Sequence, residues 1–244
     1  MTNLNLEKLE KRYLDYIVTY MRQDLKGIVD GLNSRIKILN DWKSQFMATA
    51  RAGYNSSDLD AGAERIFHHQ FTQIFKFPNS CPIGSDLMYK NDEAVVHIEI
   101  KTVLKTNSDL KGKVQLGKNQ ISYKIPAFSP NLPKFYSTVR LPTLTYAIQI
   151  VHEHMSNNIT AISVISIPNG QLYSNYGDSI LQAGKGGWLK ANDVRYNYRK
   201  EPTFKLLSSD ELKVYRIEVL ALSRLFTIKD LTGLDLPITP YKKI

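Results

Sequence analysis

Residues 94–103, Ala-Val-Val-His-Ile-Glu-Ile-Lys-Thr-Val, constrain this chain more than any other segment. Their alternation predicts a strand with Val96, Ile98 and Ile100 on one face and His97, Glu99 and Lys101 on the other. The polar turn Lys90-Asn91-Asp92-Glu93 precedes it, and Asp86-Leu87-Met88-Tyr89 reads as the partner strand of a hairpin. A two-residue turn at Asn91-Asp92 places Asp86 opposite His97 and diagonal to Glu99. A turn at Asp92-Glu93 places it directly opposite Glu99. Either register brings two carboxylates within reach of one cation.

The chemistry of that face follows from its residue types. Magnesium prefers oxygen ligands and is commonly held by one or two carboxylates together with substrate phosphate oxygens, so Asp86 and Glu99 suit it. Lys101, on the same face, suits a role in orienting water or offsetting charge on a phosphate. An acid two residues before a lysine also occurs at Asp24/Lys26, Asp41/Lys43, Asp109/Lys111 and Glu211/Lys213. What distinguishes Glu99/Lys101 is its apolar strand and the aspartate that opens the preceding one.

Elsewhere, residues 4–50 read as helical, with Leu6, Leu9, Tyr13, Tyr16, Ile17, Tyr20 and Met21 at three- and four-residue steps and an interruption expected at Gly27 and Gly31. A helix from Leu59 to Phe75 follows a Ser57/Asp58 cap, with Glu64 at the rim of its apolar stripe. Residues 104–142 form a long connection with a short helix expected around Gln115 to Lys124. Strands are expected at Leu144–Val151 and Ile159–Ile167, then a basic, aromatic loop from Gln171 to Lys205. Ser208-Ser209-Asp210-Glu211 has capping-box form and predicts a last helix through Val214, Ile217, Leu220 and Leu225.

Gly84-Ser85-Asp86 followed by Glu99-Ile100-Lys101 resembles the PD-(D/E)XK nuclease pattern, with serine at Ser85 where that pattern names proline. The match spans roughly residues 59–168. The resemblance implies an α/β fold: a PD-(D/E)XK restriction-endonuclease-like core with a mixed central β-sheet flanked by α-helices, and added N- and C-terminal helices. It also implies magnesium-dependent hydrolysis of double-stranded DNA at a short sequence, as in type II restriction endonucleases. Asp86, Glu99 and Lys101 are then catalytic, and Glu64 joins Asp86 and Glu99 as a metal ligand, directly or through water. Repair nucleases, resolvases and phage exonucleases share the motif, and a non-catalytic basic DNA-binding protein is the reading from a different class. The expected organisation is an N-terminal helical segment, 1–55, for dimerisation or DNA contact, and a nuclease domain, 56–244. A homodimer is expected because two-fold symmetry matches a palindromic site.

Composition agrees with a DNA partner. The formal net charge is +9 over 244 residues, a balance that favours a polyanion. The basic residues Lys185, Arg195, Arg199 and Lys200, with Asn197, are interleaved with Trp188, Tyr196 and Tyr198 and suit phosphate or base contacts; a solvated basic loop beside aromatic packing explains the same letters. Lys118 and Gln120, following the catalytic strand, are further DNA-facing candidates, against a plain capped helix start. A single cysteine, Cys81, excludes an internal disulfide and a Cys-based zinc cluster. His68-His69 point apart on a helix, and His152/His154 lack a metal-binding partner at diagnostic spacing. His97 is the histidine with a place on the site face. With no apolar signal region at the N-terminus, and no approach to the roughly 18 apolar residues of a spanning helix, a cytoplasmic protein off the membrane is expected.

Overall fold

The computed structural model describes residues 3–33, 62–64, 66–67, 70–71, 79–80, 86–106, 113–116, 141–153, 158–168, 194–197, 216–232 and 241–244. Helix α1 spans Asn3–Gln23 and α2 spans Leu25–Asn33. The strands are β1 Asn79–Ser80, β2 Leu87–Lys90, β3 Val95–Leu104, β4 Lys113–Leu116, β5 Thr143–His152, β6 Ile159–Ile167, β7 Val194–Asn197, β8 Ile217–Leu222 and β9 Lys242–Lys243. A short helix, α3, covers Ile228–Thr232. Among the described residues, seven strands form one sheet in the order β1-β2-β3-β5-β6-β8-β9, while β4 and β7 form a separate ribbon.

The sheet is mixed. β2 runs antiparallel to β3, β3 parallel to β5, β5 antiparallel to β6, and β6 antiparallel to β8. Every position of β5 and β6 is buried, as in central strands covered on both faces. One face, carrying Val96, Ile98 and Ile100 with Leu144, Tyr146, Ile148 and Ile150, belongs to a core shared with Leu6, Leu14, Ile17 and Met21 of α1, with Ile28 of α2, and with Ala63, Phe67 and Phe71. The opposite face of β3 and β5 carries polar residues that are buried too: His97, Glu99, Thr143, Thr145 and Gln149.

Residues 62–64, 66–67 and 70–71 are helical, in line with the expected second helix. Phe71 stacks with Tyr20 of α1 at a centroid distance of 6.1 Å and meets Tyr89 of β2 at 6.0 Å. The Tyr20 hydroxyl donates to the Gln70 carbonyl at 2.6 Å. These contacts hold the helix bearing Glu64 against both α1 and β2.

α1 is also anchored from within. Buried Glu10 accepts from the Arg216 guanidinium at 2.9 Å, and Glu7 lies 4.0 Å from the same group. Tyr146 donates to the Glu10 carbonyl at 2.8 Å, and the buried pair ties α1 to the residue preceding β8.

Four sequence expectations are corrected. The break in the first helical region falls at Asp24, ahead of Gly27 and Gly31, which both lie inside α2. Asp24 caps α2: its Oδ1 accepts the Gly27 N–H at 3.1 Å. A Cβ at Gly27 would sit 2.4 Å from the Asp24 carboxylate, so the glycine makes room for the cap. The expected last helix is overturned at Ile217–Leu222, which forms β8 on β6. Its Ile217 and Leu220 fit a three-residue step, but the β-branched, almost wholly apolar run completes a buried sheet. Gln115 and Leu116, expected to open a helix, lie in β4, and residues 194–197, expected as loop, form β7. Residues 34–61, 117–140 and 208–215 lie outside those described.

Candidate active site

The hairpin that carries the site is set by its turn. β2 pairs with β3 so that Leu87 lies opposite Ile98, Met88 opposite His97 and Lys90 opposite Val95. The turn therefore centres on Asp92-Glu93, and Asp86, one residue before β2, falls opposite Glu99. Asn91 closes this turn. Its Oδ1 accepts the N–H groups of Glu93 and Ala94 at 2.9 and 2.8 Å, and its Nδ2 donates to the Tyr13 hydroxyl at 2.6 Å. Tyr13 donates to Glu93 at 3.1 Å, and Arg12 pairs with the same carboxylate. α1 thus holds the turn in the register that places the two acids together.

Asp86 is partly buried, and its Oδ2 accepts the Ile100 backbone N–H at 2.6 Å. Burial raises its pKa, against the opposing pull of that hydrogen bond and of Lys101. Glu99 is only 5% exposed, and its side chain is paired with the Lys101 ammonium. Burial pushes the Glu99 carboxyl up to about 7; Lys101 pulls it down, while the negative charges of Asp86 and Glu64 push it further up. Glu64 is exposed on its helix and acts on Glu99 through its charge.

Among the described residues, no group of three His, Cys, Asp or Glu side chains has metal-holding geometry. Asp86 and Glu99 nevertheless fit a hard divalent cation: the donors are carboxylate oxygens, and two acids share a desolvated site with Lys101 as their nearby cation. His97 is buried on the same face, and burial lowers its pKa to about 4, so it is neutral at physiological pH. It lies opposite Met88, not Asp86.

Two neighbours on this face were not legible as site residues. In the parallel pairing, Thr145 of β5 lies beside His97 and Gln149 beside Lys101, and both are almost fully buried. The available signal was a glutamine inside the apolar run Tyr146–Val151; the parallel partner that gives it meaning lies across a long crossover. Of the DNA-facing candidates, Arg195 and Asn197 belong to β7, while Lys118, Gln120, Lys185, Arg199 and Lys200 lie outside the described residues. His152 is buried with its Nδ1 at 2.9 Å from the Glu153 carbonyl, a local contact; His68, His69 and His154 lie outside the described residues.

A mixed sheet flanked by helices, with Asp86, Glu99 and Lys101 gathered at a β2–β3 hairpin, defines an α/β restriction-endonuclease-like core. The chain belongs to the MwoI family of type II restriction enzymes: residues 3–157 match the model of the MwoI N-terminal domain, and residues 159–222 match that of its central domain. It is therefore a site-specific endodeoxyribonuclease, which sets aside the repair-nuclease and non-catalytic readings. Enzymes of this kind generally use divalent metal ions.

Two solved structures share the fold. Restriction endonuclease BglI, bound to its DNA recognition sequence, is 16% identical with a TM-score of 0.56, covering 80% of this chain and 86% of its own. Tetrameric restriction endonuclease SfiI, bound to cognate DNA, is 14% identical with a TM-score of 0.54, covering 88% of this chain and 89% of its own. No curated protein matches the chain in sequence. No helix among the described residues is long and apolar enough to cross a membrane.

Proposed function

We propose that the chain cuts double-stranded DNA with magnesium as its cofactor, using Asp86 and Glu99 to bind the ion and Lys101 as the cationic partner of the reaction. The observation that carries this reading is the hairpin register that sets Asp86 opposite the buried Glu99, with Lys101 paired to Glu99; burial beside Asp86 pushes the Glu99 carboxyl up to about 7. Two partly desolvated acids repel each other, and a divalent cation relieves that repulsion in a way a monovalent side chain does only in part. A bound magnesium ion supplies polarisation of the scissile phosphate and a water of lowered pKa.

The chain's own residues do the rest. Asp86, tied to the Ile100 N–H, presents its second oxygen in a fixed direction. Lys101, whose side chain is 34% exposed, has the freedom to exchange its contact with Glu99 for a phosphate oxygen or the attacking water, and so to offset charge developing at phosphorus. Glu64 contributes negative charge from the neighbouring helix and serves as an outer ligand, through water.

The proposal extends to partners. BglI is bound to its DNA recognition sequence, and SfiI, a tetramer, to cognate DNA; we assign double-stranded DNA as this chain's substrate and a homodimer in the cytoplasm as its assembly, the simplest closed one for a two-fold symmetric site. The N-terminal segment 1–55 is assigned to dimerisation or DNA contact beside a nuclease domain, 56–244; Tyr16 of α1, 57% exposed, suits such a surface. Lys118, Gln120, Lys185, Arg195, Asn197, Arg199 and Lys200 are assigned to DNA contact. Digestion of plasmid DNA tests the reading: discrete fragments form with magnesium and vanish with chelator. Degradation from ends, or cutting only at branched junctions, contradicts it.

A further inference from the structure

The β4–β7 ribbon brings together residues more than 75 positions apart in the chain. Its register pairs Lys113 with Asn197 and Gln115 with Arg195, and between them Val114 with Tyr196 and Leu116 with Val194. Directly paired residues of an antiparallel ladder share a face, and successive residues alternate. Lys113, Gln115, Arg195 and Asn197 therefore occupy one face of the ribbon, and the four apolar or aromatic residues occupy the other. A ribbon so divided has one face whose burial is favourable and one whose polar groups need partners.

We infer that the Lys113/Gln115/Arg195/Asn197 face reads base edges in the major groove of the DNA that this enzyme cuts. The inference rests on the reading of the chain as a DNA-cutting enzyme and names the element that gives it sequence specificity. The major groove admits a two-stranded β-ribbon, and the two cross-strand pairs, about 7 Å apart along the strands, reach two to three base pairs at about 3.4 Å per pair. The four residue types are those that pair with bases in two dentate contacts: arginine and lysine with guanine O6 and N7, asparagine and glutamine with adenine N6 and N7. No carboxylate stands on that face to repel phosphates, and two of its four members are cationic. β4 also follows the strand that bears Glu99 and Lys101 after only residues 105–112, so the ribbon is tethered directly to the cutting site.

Plasmid DNA cut by the wild-type enzyme, with its ends sequenced, defines the site; duplex oligonucleotides carrying that site and each single base-pair substitution then serve as probes. On these, kcat/KM is measured for wild type, Arg195→Ala, Arg195→Lys and Gln115→Ala, with melting temperatures alongside. Arg195→Ala is expected to lose about ten- to a hundred-fold on the cognate duplex and to lose nothing further when one particular G·C pair is replaced. Arg195→Lys keeps the charge and the reach to guanine but not the planar fork, so it restores only part of that discrimination, and Gln115→Ala loses discrimination at a different pair. Equal loss on the cognate and every substituted duplex makes these residues phosphate contacts and overturns the inference; unchanged kinetics in the folded variants overturns it as well. A wild-type enzyme that leaves plasmid uncut contradicts the nuclease reading itself, whereas defined cutting with unaltered discrimination in the variants contradicts the ribbon alone.

Discussion

The Asp86 carboxylate accepts the Ile100 backbone N–H at 2.6 Å, so one acid of the site is locked to the strand that carries the other. Asp86 is therefore both a charge that resists burial and a hydrogen-bond acceptor that the strand needs. Asp86→Ala removes both and leaves the Ile100 N–H without its partner. We expect a net loss of about 1 kcal/mol in urea denaturation of the metal-free protein, together with loss of cleavage. A metal-free variant clearly more stable than wild type would show that repulsion outweighs the hydrogen bond.

Glu99 behaves differently because it is buried and raised to about 7 from its ordinary 4.5. A group whose folded pKa lies above its unfolded value contributes stability that is complete below about 4.5 and lost as pH rises through about 7. At pH 8 the ionised carboxylate costs the fold on the order of 1–3 kcal/mol. Glu99→Gln should then melt above wild type at pH 8 in the absence of metal, with the gap closing by pH 5. Magnesium should raise the wild-type melting temperature more at pH 8 than at pH 6, because protons compete for the same oxygens. A pH-independent gap and a pH-independent metal effect would contradict the assignment.

The turn that sets the register depends on Asn91, whose side chain bonds Glu93, Ala94 and Tyr13 at once. Asn91→Ala is expected to cost about 1–2 kcal/mol and to weaken magnesium binding in calorimetric titration, since slack in the hairpin loosens Asp86 against Glu99. Asn91→Asp keeps the acceptor oxygen and should fall between the two. Wild-type metal affinity in the alanine variant would separate the turn from the site.

Arg216 and Glu10 are 1% and 0% exposed and pair at 2.9 Å. Removing one partner strands the other charge, so Glu10→Ala or Arg216→Ala should each cost about 3–5 kcal/mol in equilibrium unfolding. Glu10→Leu combined with Arg216→Met should cost less than the sum of those two losses. Strict additivity would indicate that the pair is not coupled.

The hairpin was legible in the sequence because its determinants are local: alternation in β3, a polar turn, and an acid at the start of the partner strand. Which of two turns closes it was not legible, because the choice is made by Tyr13 and Arg12 of α1, about 80 residues upstream. β8 was misread because Ile217 and Leu220 satisfy a helical step, while the ladder to β6 that makes them a strand is non-local. The β4–β7 ribbon and the placement of Gln149 beside Lys101 depend likewise on pairings across long crossovers. Glu64 was legible as the acidic rim of a helix, and its charge does reach Glu99.

The central claim is that Asp86, Glu99 and Lys101 cut DNA, not merely that they stabilise one face of the sheet. Glu99→Gln separates the two, because it removes a metal-binding charge while relieving the cost of burying it. The measurement is the initial rate of plasmid cleavage with magnesium at pH 8, read beside the melting temperature of the same protein at that pH without metal. The account predicts no detectable cleavage from a protein that melts at or above the wild-type temperature; cleavage near the wild-type rate from that folded variant would contradict it.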